Sequence, residues 1–275
     1  MVDHSPGPDD LGYVTSRISG GREWIVSREF LKLHQPGAPV VVANVWDAAT
    51  ARWANEAGFT TVGTTSWAIA EAAGHDDHEG APAELMLSVA ARIVAAVDAP
   101  VTVDAEAGYG FAPEELVRRL VAMGAAGFNV EETDHRTGEL VPAEEYGRYL
   151  AALRSELDRH EDPPVLNARV DGFLHAFLAG RTGVEKEPLP EVVDRANRYL
   201  AAGADCVYPI HATETATIGR LVERIDGPVN VSALPRSPTI RELTDLGVAR
   251  ISFGPRHWWS FEKWFKQQLV ADRDR

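Results

Sequence analysis

Short apolar runs recur along the chain, separated by longer segments with helical patterning. Eight runs stand out, at residues 40–43, 60–62, 101–103, 127–130, 165–168, 206–209, 229–231 and 250–253. They are mostly apolar and β-branched with little in–out alternation, the pattern of parallel strands buried on both faces. Helical segments are expected near residues 24–33, 48–57, 83–97, 113–124, 143–157, 190–202, 215–225 and 239–246, with an aromatic-rich helix last. Gly58, Gly124, Gly203 and Gly247 each follow a helical segment and open the next run, as a glycine just past a helix end does. Pro113 fits a helix start, and Asn44 and Asp47 read as helix caps. Residues 66–82 read as a helix, turn or lid region containing the polar stretch 75–79. Eight strand–helix units in a chain of this length predict a (β/α)8 TIM barrel of the α/β class. A doubly wound open sheet is the alternative, but no Gly-rich dinucleotide fingerprint follows the first run. The expected organisation is a flexible N-terminal segment, 1–21, and one barrel domain with its C-terminal helix, 22–275.

In such a barrel the active site is built at the C-terminal ends of the strands. The polar residues expected there are Asn44, Thr65 and Ser66, Asp104 and Glu106, Glu131, Arg169 and Asn230. The third run continues as Asp104-Ala105-Glu106-Ala107-Gly108-Tyr109-Gly110. If the strand persists, Asp104 and Glu106 point the same way, and the glycines then let the chain turn sharply. Acids from adjacent strands would repel and some would be forced to protonate, a conflict that a divalent cation removes. Mg²⁺ or Mn²⁺ is the expected ion, held by one acid directly and by others through water. The alternative is a set of capping or salt-bridged acids. Arg169 offers a fork for a substrate carboxylate, or else neutralises the acids. Thr65 and Ser66 are either an anion-holding turn or a capped one. The residues alone leave Asn230 undecided; it is taken as a candidate substrate-binding residue, and Glu131 as a candidate catalytic one as well as a metal-holding acid.

Composition narrows the partners. The 275 residues carry 27 Lys+Arg against 41 Asp+Glu, a net charge of −14. This argues against nucleic acid or an anionic membrane as partner. It leaves room for an anionic small substrate, because one bound cation inverts the local field. The single cysteine, Cys206, excludes an intrachain disulfide, fits a reducing cytoplasm and reads as a buried small hydrophobe. The N-terminal stretch has no apolar core of a signal peptide, and no run of 18 apolar residues occurs.

The segments Ala43-Asn44-Val45-Trp46-Asp47-Ala48, Gly63-Thr64-Thr65-Ser66, Asp104 to Gly110, Asn129-Val130-Glu131-Glu132, Ala168-Arg169-Val170-Asp171 and Ile251-Ser252-Phe253-Gly254-Pro255 together resemble the isocitrate lyase/phosphoenolpyruvate mutase superfamily. The resemblance spans most of the chain, and its Asp-x-Glu/Asp-x-Gly-Tyr-Gly segment is highly specific. It implies that Asp104 ligates Mg²⁺ directly, that Glu106 and Glu131 hold it through water, and that Asp77 is a further acid nearby. It also implies that Arg169 binds a substrate carboxylate, with Thr65 and the Ser66 and Trp67 backbone as the second carboxylate turn. Helix-swapped dimers assembled into tetramers are implied as well, and the aromatics Trp258, Trp259, Phe261, Trp264 and Phe265 suit such a swap, unless they pack on their own barrel. The chain departs from the lyases in one loop. Where those carry a Lys-Lys/Arg-Cys-Gly-His type sequence, residues 133–140 read Thr-Asp-His-Arg-Thr-Gly-Glu-Leu, with no lysine and no cysteine. The loss of that thiol argues against isocitrate cleavage. The asparagine and lysine of the phosphoenolpyruvate mutase gating loop are not evident either. His135 and Arg136 are the candidates there for proton transfer or charge neutralisation. The expected activity is a metal-dependent lyase for a small oxaloacetate- or alkylmalate-like carboxylate, cleaving a C–C bond through a metal-stabilised enolate. C–P chemistry on the same platform, and a non-catalytic ligand-binding homologue, are the rivals; a class II pyruvate aldolase fits less well.

Overall fold

A computed structural model describes residues 26–181 and 188–274. The N-terminal segment expected at 1–21 lies outside these residues. The first helix, α1 (Val26–Lys32), precedes β1 (Val40–Val45), α2 (Ala48–Glu56), β2 (Val62–Thr64), α3 (Ser66–Ala72), α4 (Ala83–Ala96), β3 (Val101–Asp104), α5 (Pro113–Met123) and β4 (Gly127–Glu131). A two-stranded hairpin, β5 (Thr133–Asp134) and β6 (Glu139–Leu140), comes next. Then follow α6 (Ala143–Leu157), β7 (Val165–Val170), α7 (Gly172–Leu178), α8 (Leu189–Ala201), β8 (Cys206–Pro209), α9 (Thr215–Arg224), β9 (Asn230–Ser232), α10 (Ile240–Asp245), β10 (Arg250–Ser252) and α11 (Arg256–Arg273).

Eight of the strands are parallel neighbours in the order β8-β7-β4-β3-β2-β1-β10-β9, and a bridge between Val207 and Val229 joins the two ends. The expected (β/α)8 barrel is therefore present. The helix stops are those read from the glycines: Gly124 caps α5 in the left-handed conformation (φ 80°), and Gly58 follows α2 at φ 92°. Asp47 caps α2, its carboxylate accepting from the Thr50 N–H at 2.7 Å. Asn44 does not cap a helix. Its side-chain amide donates to the Thr64 carbonyl (2.9 Å), and its Oδ1 accepts from the Phe253 and Gly254 N–H groups (2.8 and 3.0 Å), tying β1 to both neighbouring strand ends. The second strand starts two residues later than expected, and α7 and the hairpin were not apparent in the sequence.

The inner face of the barrel is more polar than the runs suggested. Asn167 donates to Asn129 Oδ1 (2.8 Å), which also accepts from the guanidinium of Arg250 (3.2 Å). Arg250 is 1% exposed and lies near Thr102 Oγ1 (3.4 Å). Parity explains it: these residues alternate with Val103, Phe128, Val130, Ala168 and Ile251, which face the helices in the apolar core. The end of the barrel away from the strand termini is closed by α1. Phe30 sits against Gly127, where any Cβ would come within 2.8 Å of its ring, and Arg250 lies over the same ring at 5.8 Å. His34 completes this plug, with its Nδ1 3.0 Å from the Phe30 carbonyl and its ring edge-on to Phe30. Cys206 is buried as expected, and burial pushes its thiol up to about 12.

Burial, and secondarily the Arg250 charge, lower the His34 pKa from 6.5 to about 4. A folded-state pKa below the unfolded one means that the unfolded chain takes up a proton first. Stability from this group is intact above pH 6.5 and is lost as pH falls from 6.5 toward 4, by up to about 3 kcal/mol. Denaturant unfolding of wild type and His34→Gln at pH 7, 5.5 and 4.5 should show the difference between them shrinking as the pH falls. An unchanged difference would place the proton uptake elsewhere.

Candidate active site and metal centre

Ladder register delivers the central residues. Pairing of β4 with β7 sets Glu131 opposite Arg169, and pairing of β3 with β4 sets Asp104 opposite Asn129. Asp104 is fixed at both ends: its N–H donates to Thr64 Oγ1 (2.7 Å), and its Oδ2 accepts from the Ser66 N–H (3.1 Å). Burial pushes its pKa up, the Arg169 charge opposes this, and Asp77 adds to the rise.

Glu106 reaches the same place by a different route from the one expected. The strand ends at Asp104, so alternation along a strand does not align the two acids. Instead the chain turns through left-handed residues, Glu106 at φ 45°, Gly108 at φ 95° and Tyr109 at φ 56°. A side chain at Gly108 would also collide with the Tyr149 hydroxyl. A second loop locks the turn: the Glu79 N–H donates to Glu106 Oε1 (2.7 Å), and the Tyr109 N–H donates to Glu79 Oε1 (2.6 Å). His78 and Glu79 are themselves left-handed (φ 64° and 59°), so four non-glycine residues hold conformations that cost on the order of 1 kcal/mol each. Burial first, and then the charges of Asp104, Asp77 and Glu131, raise the Glu106 pKa to about 8.

These four acids thus share one electrostatic neighbourhood. Asp77 Oδ1 and Glu106 Oε2 are buried with no hydrogen-bond partner among the described residues. Crowded carboxylates with unpartnered oxygens are a donor set suited to a hard divalent cation.

Arg169 stands beside the cluster with its fork engaged. Its Nε and Nη2 donate to Asp171 (2.6 and 3.3 Å), and its Nη1 pairs with Glu131 Oε2. Burial alone would raise the Asp171 pKa, but the guanidinium overrides this and holds it below the usual carboxylate range. At Glu131 burial wins over Arg169 and His135, and its pKa rises. Asp171 is therefore the firm counter-ion of Arg169, and Glu131 the looser one. Asp171 is itself positioned by its own N–H, which donates to Glu132 Oε1 (2.9 Å), and by Thr133 Oγ1. Glu132 is anchored in turn by Arg195 (2.8 Å) and the Tyr199 hydroxyl.

The loop that departs from the lyase pattern is the β5–β6 hairpin. It directs His135 inward, with Nε2 2.6 Å from Glu131 Oε1, and it leaves Arg136 at the rim, bound to Asp134 (3.0 Å). Burial lowers the His135 pKa, but the close approach and charge of Glu131 raise it overall. A cavity of about 600 Å³ opens beside these groups, lined among others by Glu79, Tyr109, Glu131, His135 and Arg136. A depression of about 620 Å³ at the opposite end of the barrel, around Lys32, Gln35 and Thr60, brings no acids together.

Of the residues singled out in the sequence, Asp77, Asp104, Glu106, Glu131, Arg169 and His135 meet at the mouth, with Ser66 bound to Asp104. Thr65 opens α3 without a side-chain cap bond. The Trp67 ring turns toward α11, edge-on to Trp259 at 6.1 Å. Asn230 lies inside the barrel with its Oδ1 accepting from Ser252 (3.2 Å), level with Arg250. Sequence reasoning assigned no role to Asp171, Glu132, Glu79 or His78. The spacing of two between Arg169, near the end of β7, and Asp171, just past it, was the available signal for Asp171; Glu79 and His78 depend on a loop contact with no local signature.

Comparison with known proteins agrees with this geometry. Residues 30–271 match the family model described as phosphoenolpyruvate phosphomutase. An uncharacterized protein of Mycobacterium tuberculosis is 34% identical over 227 residues, covering 82% of this chain and 81% of that protein. An oxaloacetate decarboxylase of Rhodopseudomonas palustris is 34% identical over 172 residues, 60% of this chain and 56% of that protein. A crystal structure from Burkholderia cenocepacia J2315, described provisionally as a phosphonomutase, superposes with a TM-score of 0.82 at 38% identity, covering 89% of this chain and 99% of that one. The chain belongs to the phosphoenolpyruvate phosphomutase family, within the phosphoenolpyruvate mutase/isocitrate lyase superfamily of lyases and mutases.

Proposed function

We propose that this protein is a divalent-metal-dependent carbon–carbon lyase for a small α-keto or α-hydroxy carboxylate of the oxaloacetate or alkylmalate kind. The observation that carries the reading is the convergence of Asp77, Asp104, Glu106 and Glu131, two of them with unpartnered buried oxygens, beside the buried guanidinium of Arg169. Asp104 would hold Mg²⁺ or Mn²⁺ directly, and Glu106, Glu131 and Asp77 through water. The bound ion would supply positive charge where negative charge gathers on the substrate oxygens as the bond breaks. The residues of the chain do the rest. Arg169, with three of its five N–H groups engaged, has two left for a substrate carboxylate. Asp171 keeps that guanidinium in one orientation, which is how a site converts binding into alignment. Thr65 and the Ser66 and Trp67 backbone at the start of α3 form the second carboxylate contact. The hairpin brings His135 over Glu131 as its neutralising partner and keeps Arg136 at the entrance. With an oxaloacetate-like substrate the bond electrons would stay on the keto-acid fragment as its enolate, which a proton then discharges; with an alkylmalate-like substrate a base would take the hydroxyl proton, the keto acid would leave, and the bond electrons would stay on the other carboxylate fragment as its enolate, again discharged by a proton. The Rhodopseudomonas relative supports the oxaloacetate-like substrate class.

A second reading, C–P bond chemistry on the same platform, is favoured by the family description and by the Burkholderia structure. A protein that binds such ligands without turning them over is the third. We also propose that the protein works as a homo-oligomer, a dimer or tetramer with exchanged C-terminal helices. Along α11, Trp259, Phe261, Trp264, Phe265, Leu269 and Val270 remain exposed in the single chain, an apolar strip unusual for a monomer surface.

Turnover of oxaloacetate, alkylmalates, methylisocitrate, phosphoenolpyruvate and phosphonopyruvate, each with and without Mg²⁺ or Mn²⁺, separates these readings. The expected outcome is release of pyruvate or glyoxylate that chelation abolishes and metal restores, with Asp104→Ala at least about 10²-fold slower. Phosphate or phosphonate chemistry would install the second reading, and undiminished turnover by Asp104→Ala would end the metal argument. Asp171→Asn should raise KM for the same substrate about tenfold or more while preserving metal affinity, which calorimetry checks. Light scattering of the purified chain should give a multiple of 30.0 kDa, and Trp264→Glu with Phe265→Glu should shift it to the monomer.

A further inference from the structure

Three side chains from three separate elements meet at the mouth beside the oxygen cluster, with Glu131 common to both. His78 comes from the loop after α3, Glu131 from the end of β4, and His135 from the hairpin. One ligand atom from each lies within 4.8 Å of the other two. The two imidazole rings are tilted over one another with centroids 5.1 Å apart. The two oxygens of Glu131 divide their work: Oε2 is taken by Arg169, and Oε1 faces His135. One carboxylate oxygen and two imidazole nitrogens are thus gathered in one volume, and Glu131 and His135 line the cavity of about 600 Å³.

That donor set differs in kind from the carboxylates around Asp104. Mg²⁺ favours oxygen ligands and retains water, whereas imidazole suits zinc, copper, iron and nickel. Two histidines and a glutamate with a fourth position open is an arrangement of catalytic zinc. Binding takes modest side-chain movement, since ligand atoms up to 4.8 Å apart would draw together. Ligands about 2.0–2.1 Å from a tetrahedral ion stand roughly 3.3 Å apart, so the 2.6 Å contact of His135 with Glu131 needs only a small opening. Asp77 Oδ2 lies 3.9 Å from His78 Nδ1, which links this position to the acid cluster. The left-handed backbone at His78 and Glu79 is what turns the loop inward here, and an outlier of that sort is commonly kept for a function.

We propose that His78, Glu131 Oε1 and His135 form a second metal position, for a borderline transition-metal ion such as Zn²⁺, Fe²⁺ or Co²⁺, adjoining the oxygen-only position at Asp104. The proposal does not rest on the lyase reading. It predicts a centre that Mg²⁺ does not fill and that depends on the two loops rather than on β3.

The test uses tag-free full-length protein stripped with chelator and titrated with Co²⁺, read by visible absorption in the presence of excess Mg²⁺. The expected result is one Co²⁺ per chain with ligand-field bands that persist in Mg²⁺. His78→Ala and His135→Ala should each weaken that binding at least tenfold and alter the bands. Asp104→Ala should retain the Co²⁺ spectrum while losing Mg²⁺ binding by calorimetry. Should an alanine variant fail to fold, His78→Gln and His135→Gln replace it. The proton spectrum of the wild-type Co²⁺ form is the independent check, and should show hyperfine-shifted signals from two imidazoles. Co²⁺ that Mg²⁺ displaces, a spectrum unchanged in both histidine variants, or the absence of shifted imidazole signals would each overturn the second position. None of those results touches metal-dependent turnover, so this proposal and the lyase reading fail separately.

Discussion

One guanidinium governs the electrostatics of the barrel mouth. Arg169 is buried among Asp171, Glu131 and Asp104, and each of these acids would sit at a different protonation equilibrium without it. Its fork is divided unequally, with two nitrogens on Asp171 and one on Glu131. That division leaves the remaining acids under-neutralised, so their repulsion is relieved by protonation, as the raised Glu106 pKa records, or by a cation at the mouth. The barrel supplies the arrangement through register, since a one-residue slip between β4 and β7 would turn either Glu131 or Arg169 toward the helices.

Much of this was legible in the sequence because it is local. A helix that stops at a glycine and a run that ends in an acid can both be read from a few neighbouring letters. Asp104, Glu131 and Arg169 fell into place because strand ends in a parallel barrel share one face. Residues whose roles depend on closure were not legible. Asn44 looked like a cap and is a clamp between strands. Arg250 looked like the edge of an apolar run, and which parity faces inward became visible only once the barrel had closed. Glu106 reaches the mouth by a route other than the strand alternation expected, because the strand stops before it and a left-handed turn returns it. The Glu79 clasp that secures this turn joins residues 27 and 30 positions apart.

The polar interior bears on how the site is supported. Below the mouth, Asn129, Asn167 and Arg250 form a hydrogen-bonded layer in place of packed aliphatic side chains, and α1 seals it with Phe30 and His34. Such a layer fixes side-chain orientation more sharply than aliphatic packing does, at the cost of requiring every partner to be in place. The acids above therefore stand over a floor that is directional.

The hairpin departs from that tight coupling. Its two short strands pair with each other, and the Gly138 N–H closes on the Asp134 carbonyl and the Val141 N–H on the Glu132 carbonyl, so the insertion begins and ends at nearly the same point in space. Its backbone bonds are largely internal. A segment of this kind behaves as an exchangeable cassette: apart from Thr133 and His135, which reach Asp171 and Glu131 on the barrel, its positions can diverge without forcing compensating changes in the barrel wall. Lineages sharing one scaffold and one arginine can then part ways through a few residues at a single insertion, and chemical diversity in such a group should be sought in eight letters rather than in the other two hundred and more.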